Sequence, residues 1–208
     1  MNDEPLDLRK LAIELTAIAE SGLAYCRDPF DIERFQHIAA LAEQLLVRDD
    51  LGRYSPAAAL TAGYATPKVD VRAGVFDNDS RVLLVQEVAD GRWSLPGGWC
   101  DVLETPRAAV EREVKEEAGM TVSAIHLAAV IDREVWAHTP AYDRHIYKLF
   151  FVCQPETTLD PAFTSSETRA VGWFEVDALP ELSIRRVLPE QIHLLHDHWR
   201  KPGRAYVD

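Results

Sequence analysis

Apolar positions at the start of the chain recur at helical spacing, and further along they alternate. Leu8, Leu11, Ala12, Leu15, Ile18 and Ala19 fall three and four apart, the period of one helix face. Asp28-Pro29 restarts a helix, with Asp28 as cap and the proline in the first turn; Ile32, Phe35, Ile38, Ala39, Ala42, Leu45 and Leu46 continue the stripe. From Ser55 to Lys68 the pattern breaks at Pro56, Gly63 and Pro67, which marks a linker. Beyond it, Val69 to Phe76 reads as a valine-rich strand. Asp77 to Ser80 reads as a turn and Arg81 to Glu87 as a returning strand. Further strands are predicted at Ala124–Asp132, Tyr147–Gln154 and Ala170–Phe174, and a helix over Pro189–Arg200 that Pro202-Gly203 stops. Strands mixed with flanking helices imply an α/β layered domain. Two domains are therefore expected: a small all-helical one over residues 1–65 and an α/β one over 66–208.

One helix is signalled more sharply than the rest. Thr105 is an N-cap candidate, Pro106 suits the first helical position and Gly119 suits the residue after the last turn. Ala109, Val110, Val114 and Ala118 form its inward stripe, and Glu113, Glu116 and Glu117 fall largely off it. Carboxylates three and four apart on a helix are neighbours and repel one another unless something positive sits between them. A solvated acidic face is one reading. A cluster of oxygen ligands for a hard divalent cation is the other.

Composition narrows the choice of partner. The chain has 208 residues and a net charge of −12, which opposes broad nucleic-acid binding and would repel a phosphate-bearing substrate unless cations intervene locally. No apolar run approaches the ~18 residues of a membrane span. Asp3 and Glu4 stand where a secretory signal would be basic. Three scattered cysteines, Cys26, Cys100 and Cys153, suggest neither a disulfide framework nor a zinc site, and a cytoplasmic setting is expected.

From Gly98 the spacing runs glycine, five residues, Glu104, seven residues, Arg112-Glu113, Val114, one residue, Glu116-Glu117, one residue, Gly119 and Met120. This resembles the signature of the Nudix hydrolases without a gap. The resemblance implies an α/β/α sandwich around a mixed sheet, and metal-dependent cleavage of a pyrophosphate bridge in a nucleoside diphosphate linked to another group. By the same resemblance Mg²⁺ or Mn²⁺ would be held by Glu113, Glu116 and Glu117, with Glu104 and Gly98 contributing. Arg112 would act as counter-charge to the glutamates, and Glu167, on a loop before a strand, as general base or a further ligand. Asp101 and Leu103 depart from the glutamate and glycine of many relatives.

The similarity extends to Val69-Asp70-Val71-Arg72, Asp132-Arg133, His145 to Phe151 and Leu179 to Val187, and with the helical N-terminal unit resembles a subgroup acting on CDP-choline or ADP-ribose. That subgroup implies a homodimer joined through the N-terminal helices. Arg72, Arg133 and Lys148 are candidates for phosphate contact, or are surface charges. Trp136 stacks on a base or choline group, or is a loop anchor. Trp93, Trp99 and Trp173 are expected to pack, Cys100 to be a small buried thiol, and His193, His196 and His198 to lie on a solvated terminal helix. Processing of RNA, at a 5′ end or as an exonuclease, and a catalytically silent nucleotide sensor are the rival functions.

Overall fold

The computed structural model describes residues 7–48, 64–101, 103–142 and 144–208, with side chains in the second helix as far as Leu45. The side chain of Leu46 and the linker positions Ser55, Pro56 and Gly63 lie outside what the structure describes. The described residues up to Pro67, with the stretch Pro140–His145, form one compact unit; Lys68–Thr139 and Ile146–Asp208 form the other.

The first unit is a helix pair. Helix α1 spans Leu8–Tyr25, and its N-cap Asp7 accepts the Lys10 amide at 3.1 Å. Helix α2 spans Pro29–Arg48, and Asp28 accepts the Phe30 and Asp31 amides. Ala12, Ala19 and Ala42 of these helices are fully buried. Ile18, by contrast, is 54% exposed, so the helical stripe overstates what this unit covers. Arg9 is buried, and donates to the Tyr142 carbonyl at 2.8 Å, which fastens the Pro140–His145 stretch to α1.

The second unit contains β1 (Lys68–Val75), β2 (Val82–Glu87), β3 (Trp93–Ser94), α3 (Pro106–Ala118), β4 (Val122–Asp132), β5 (Ile146–Pro155), β6 (Thr168–Phe174), α4 (Pro189–Arg200) and β7 (Tyr206–Val207). Strands β1-β5-β4-β7 form a mixed sheet, with β1 parallel to β5 and β5 antiparallel to β4; β3-β2-β6 form a smaller antiparallel sheet. The period-two alternation divides the mixed sheet's residues between two cores. Val71, Ala73, Val75, Phe151 and Cys153 pack with Ala109, Val110, Val114 and Ala118 of α3. Phe150, Val152, Ala129 and Ile131 pack with Ile192 and Leu195 of α4. The expected α/β/α layering is therefore present. Strands β3 and β7, two residues each, carry too little pattern to be legible in advance.

Helix α4 is not the solvated helix anticipated. Gln191, Ile192 and Leu195 are buried, and His196 stacks with Trp199, which itself stacks on Phe76 at 5.2 Å between ring centroids. His198 turns towards His126 of β4, their rings 6.0 Å apart. An aromatic and apolar face of this kind is driven against the sheet by burial of ring area.

Candidate active site

The segment Pro96–Cys100 runs beside the edge of β1 and carries the two glycines into place. Val71 N–H donates to the Gly98 carbonyl at 2.8 Å, Ala73 N–H to Pro96 at 2.9 Å, and Cys100 N–H to Val69 at 3.0 Å. These bonds occupy backbone groups that an edge strand would otherwise leave open. Gly97 has φ +143, and a Cβ there would overlap the Val71 carbonyl and lie 2.9 Å from Arg72 Cα. A Cβ on Gly98 would come within 2.9 to 3.1 Å of the Glu113 carboxylate.

Helix α3 delivers the acids. Thr105 accepts the Ala108 amide at 3.2 Å, Pro106 opens the first turn, and Gly119 closes the helix at φ 67. Glu113 and Glu117, one turn apart, are 8% and 5% exposed, contrary to the expectation that all three glutamates lie off the buried stripe. Only Glu116 of the three faces outward, its side chain 58% exposed. Glu117 accepts the Gly97 amide at 2.9 Å. Burial pushes its carboxyl up to about 8, although Arg72 and the Gly97 amide oppose the rise. Burial raises Glu113 as well, against the pull of Arg112.

The repulsion inherent in the helix is resolved by one side chain. Arg112 grips Glu104 with two bonds, Nε at 2.9 Å and Nη2 at 3.0 Å, while Nη1 donates to Glu113 at 2.9 Å and Glu116 at 2.8 Å. The planar fork of a guanidinium suits such simultaneous contacts. The hydrogen bond from Arg112 holds Glu104 below the usual carboxylate range. Among the described residues no three His, Cys, Asp or Glu side chains already converge as a metal group. Nη1 of Arg112 lies between two of the acids that would have to meet.

Arg72 and Lys148 are not surface charges. They are 5% and 2% exposed and converge on Asp70, which is absent from the candidates named above. Arg72 pairs with both Asp70 oxygens, at 3.0 and 2.7 Å, and Lys148 Nζ reaches Oδ1 at 2.6 Å. Arg72 also donates to the Leu95 carbonyl at 3.2 Å, and its charge bears on Glu117 and Glu87. Burial brings the Lys148 ammonium down to about 8 despite Asp70. The signal in sequence was Asp70 and Arg72 sharing one face of a strand otherwise built to be buried.

Glu87 is a second residue that sequence reasoning passed over. It is buried at the end of β2, pairs with Arg186 Nε at 3.0 Å, and its charge helps raise the Glu117 carboxyl. Arg186 also reaches Asp90, which accepts the Ser183 hydroxyl at 2.7 Å. Glu167 is exposed, and its carbonyl accepts the Val88 amide. The adjacent Thr168 hydroxyl donates to the Glu117 carbonyl at 2.7 Å, which joins this loop to the end of α3.

The remaining candidates are more dispersed. Arg133 is buried, with Glu134 at 3.7 Å and the Arg185 carbonyl at 3.5 Å. Trp136 has the placement of an anchor: its Nε1 donates to Asp208 at 3.2 Å and its ring meets Tyr206 edge-on. Trp99, expected to pack, is 42% exposed beside the glycines. Leu103 is fully exposed at φ 69, the left-handed region where a glycine would be unstrained. The Cys100 thiol is pushed up to about 11, chiefly by burial, and stays protonated.

This arrangement of glycine turn, capped helix and clipped glutamates belongs to a known class. Residues 66–196 match the NUDIX domain, and the chain is a Nudix hydrolase. Residues 7–55 match the UDP-X-like, N-terminal oligomerisation domain. The chain is 36% identical, over 94% of both sequences, to the Bacillus subtilis (strain 168) protein YjhB, provisionally named an ADP-ribose pyrophosphatase. It is similar to the crystal structure of an ADP-ribose pyrophosphatase from Streptococcus suis 89-1591, with 39% identity, TM-score 0.61, and coverage of 69% of this chain and 100% of that one. The crystal structure of a UDP-X diphosphatase superposes over 97% of this chain and 98% of its own, with TM-score 0.63 and 29% identity.

Proposed function

We propose that the chain hydrolyses the pyrophosphate bridge of a nucleoside diphosphate linked to a second moiety, releasing a nucleoside monophosphate. ADP-ribose is the first substrate to test, because relatives carrying that name align across the unit that holds the glutamates. CDP-choline is the second. The observation that carries the reading is the contact of Gly98 with the Glu113 carboxylate, a cradle that any Cβ would fill.

The donor set fits a hard divalent cation, Mg²⁺ or Mn²⁺: Glu113, Glu116 and Glu117 supply carboxylate oxygens, with Glu104 and the Gly98 carbonyl at the margin. When bound, the cation neutralises phosphate charge and acidifies an attacking water. Arg112 would yield Glu113 and Glu116 while keeping its paired grip on Glu104, so the helix does not lose its counter-charge. Arg72, held by Asp70 beside Glu117, offsets the acidity of the floor. Arg133 and Lys148 add positive charge on the same side of the sheet as Asp70, and Trp136 steadies the turn that follows Arg133.

Glu167 is assigned the general base, on a loop tied to the end of α3. Glu167→Gln is expected to lower kcat by about 10²-fold with unchanged metal dependence. Unchanged turnover removes Glu167 from the mechanism.

The direct test is incubation with ADP-ribose, CDP-choline, UDP-sugars and 5′-triphosphorylated RNA, with Mg²⁺, Mn²⁺ or EDTA. Metal-dependent nucleoside monophosphate release is expected. No turnover of any of them with either metal would refute the hydrolytic reading, and turnover of RNA alone would favour end processing. The charge of −12 opposes the RNA outcome. The helical domain, residues 1–65, is assigned to dimerisation and capping of the substrate, and 66–208 to hydrolysis. Exposed Ile18, Tyr25 and Phe30 support an association face on the helix pair. A one-chain mass in solution at high concentration would contradict it. A cytoplasmic location completes this reading.

A further inference from the structure

A cavity of about 580 Å³ opens in the second unit past the end of β1, and none of the residues assigned above to the glutamate site lines it. Its aromatic walls are Phe76, Trp173 and Trp199. Both indoles are only partly buried, one against each of the two cores. Asn78, Gln154 and Thr158 bring amide and hydroxyl groups to the lining. No Lys, Arg or His side chain lines it among the described residues. Its one carboxylate, Asp77, is taken up by the Asp79 and Arg81 amides and by Arg81 Nε at 2.8 Å.

The volume is that of small-molecule sites, and the lining sets aromatic and apolar surface beside a comparable extent of polar surface that can fix orientation. Indole faces reward a flat ring, through stacking and through the water that it displaces. Amide and hydroxyl groups reward a ring edge that both donates and accepts. The lack of cations, in a chain of net charge −12, penalises phosphate. We propose that this cavity is a second ligand site, which takes an uncharged heteroaromatic compound of the nucleoside type and rejects its 5′-phosphate. It would thus bind a chemical class one phosphate removed from the product of the glutamate site. The proposal stands on the cavity alone and does not depend on which substrate is hydrolysed.

Calorimetric titration of the full chain in EDTA with adenosine, with uridine and with AMP tests it. At least one nucleoside is expected to bind saturably at one site per chain, with AMP weaker by about tenfold or more, a difference of about 1.4 kcal/mol. Ile125 lines the cavity at 48% exposure, so Ile125→Trp fills the opening without disturbing the core and should weaken nucleoside binding by at least about tenfold. Trp199→Ala should do the same if it folds. Glu116→Gln should leave binding unchanged. Absence of saturable binding by both nucleosides overturns the proposal. So do equal affinity for AMP, full binding by Ile125→Trp, and loss of binding in Glu116→Gln, which would place the nucleoside at the glutamates.

Discussion

Glu117→Gln is expected to reduce hydrolysis by at least about 10²-fold while making the metal-free protein more stable at alkaline pH. The two effects share one cause. Glu117 is buried at 5% exposure against Gly97, and its carboxyl is raised from 4.5 to about 8 by loss of water. The folded protein therefore retains a proton that the unfolded chain releases near its ordinary value. Folding takes up that proton between about pH 4.5 and 8, and stability falls as pH rises through this window. Glutamine has the same shape, can accept the Gly97 amide and cannot ionise, so the variant loses that part of the slope. Thermal melts in EDTA at pH 5 and pH 8 should show wild type and variant closest at the lower pH, with the variant several degrees higher at the upper one. Turnover of ADP-ribose or CDP-choline with Mg²⁺ provides the other half of the test. Retained turnover would remove Glu117 from the metal-ligand set, and a variant less stable at pH 8 would refute the account of its burial.

Gly97→Ala and Gly98→Ala are expected to fail in different ways, although the residues are adjacent. The new methyl at Gly97 meets backbone, the Val71 carbonyl and Arg72 Cα, at a φ of +143 that side chains seldom adopt. Nothing there can rotate away. The segment must leave the edge of β1, with a cost above about 3 kcal/mol and a fall in thermal midpoint of about 10 °C or more. The atoms nearest the methyl at Gly98 are the end of the Glu113 side chain, which can swing aside. Gly98→Ala should melt within a few degrees of wild type, yet bind Mn²⁺ and turn over substrate about tenfold or more less well. Equal melting temperatures for the two variants would refute the distinction.

The acidic helix was readable because its chemistry is local. Glu104, Arg112, Glu113, Glu116 and Glu117 occupy one loop and one helix, so Arg112 meets three carboxylates without help from a distant element. Capping by Thr105 and Gly119 was readable for the same reason. The inward turn of Glu113 and Glu117 was not, because a charge is ordinarily placed on the wet side of a helix and only a partner on another element reverses that. Here the partners of Glu117 are the Gly97 amide and the charge of Arg72, and the missing side chain of Gly98 leaves room for the Glu113 carboxylate.

Long-range pairings separate what the chain's pattern decides from what its packing decides. Period and punctuation were sufficient for the helix pair, the main strands and the α/β layering, and the spacing of one motif for the family, since each depends on residues a few positions apart. The union of Asp70 with Lys148 depends on β1 lying parallel to β5, 78 residues apart along the chain, and Glu87 meets Arg186 only once β2 and the segment after Ser183 are brought together. No local rule predicts such a meeting, because the cost of burying each charge is recovered only from a partner that the tertiary fold delivers. That is why the family could be read along one helix, while the buried cluster of Asp70, Arg72 and Lys148 and the aromatic cavity beyond β1 became visible only in three dimensions.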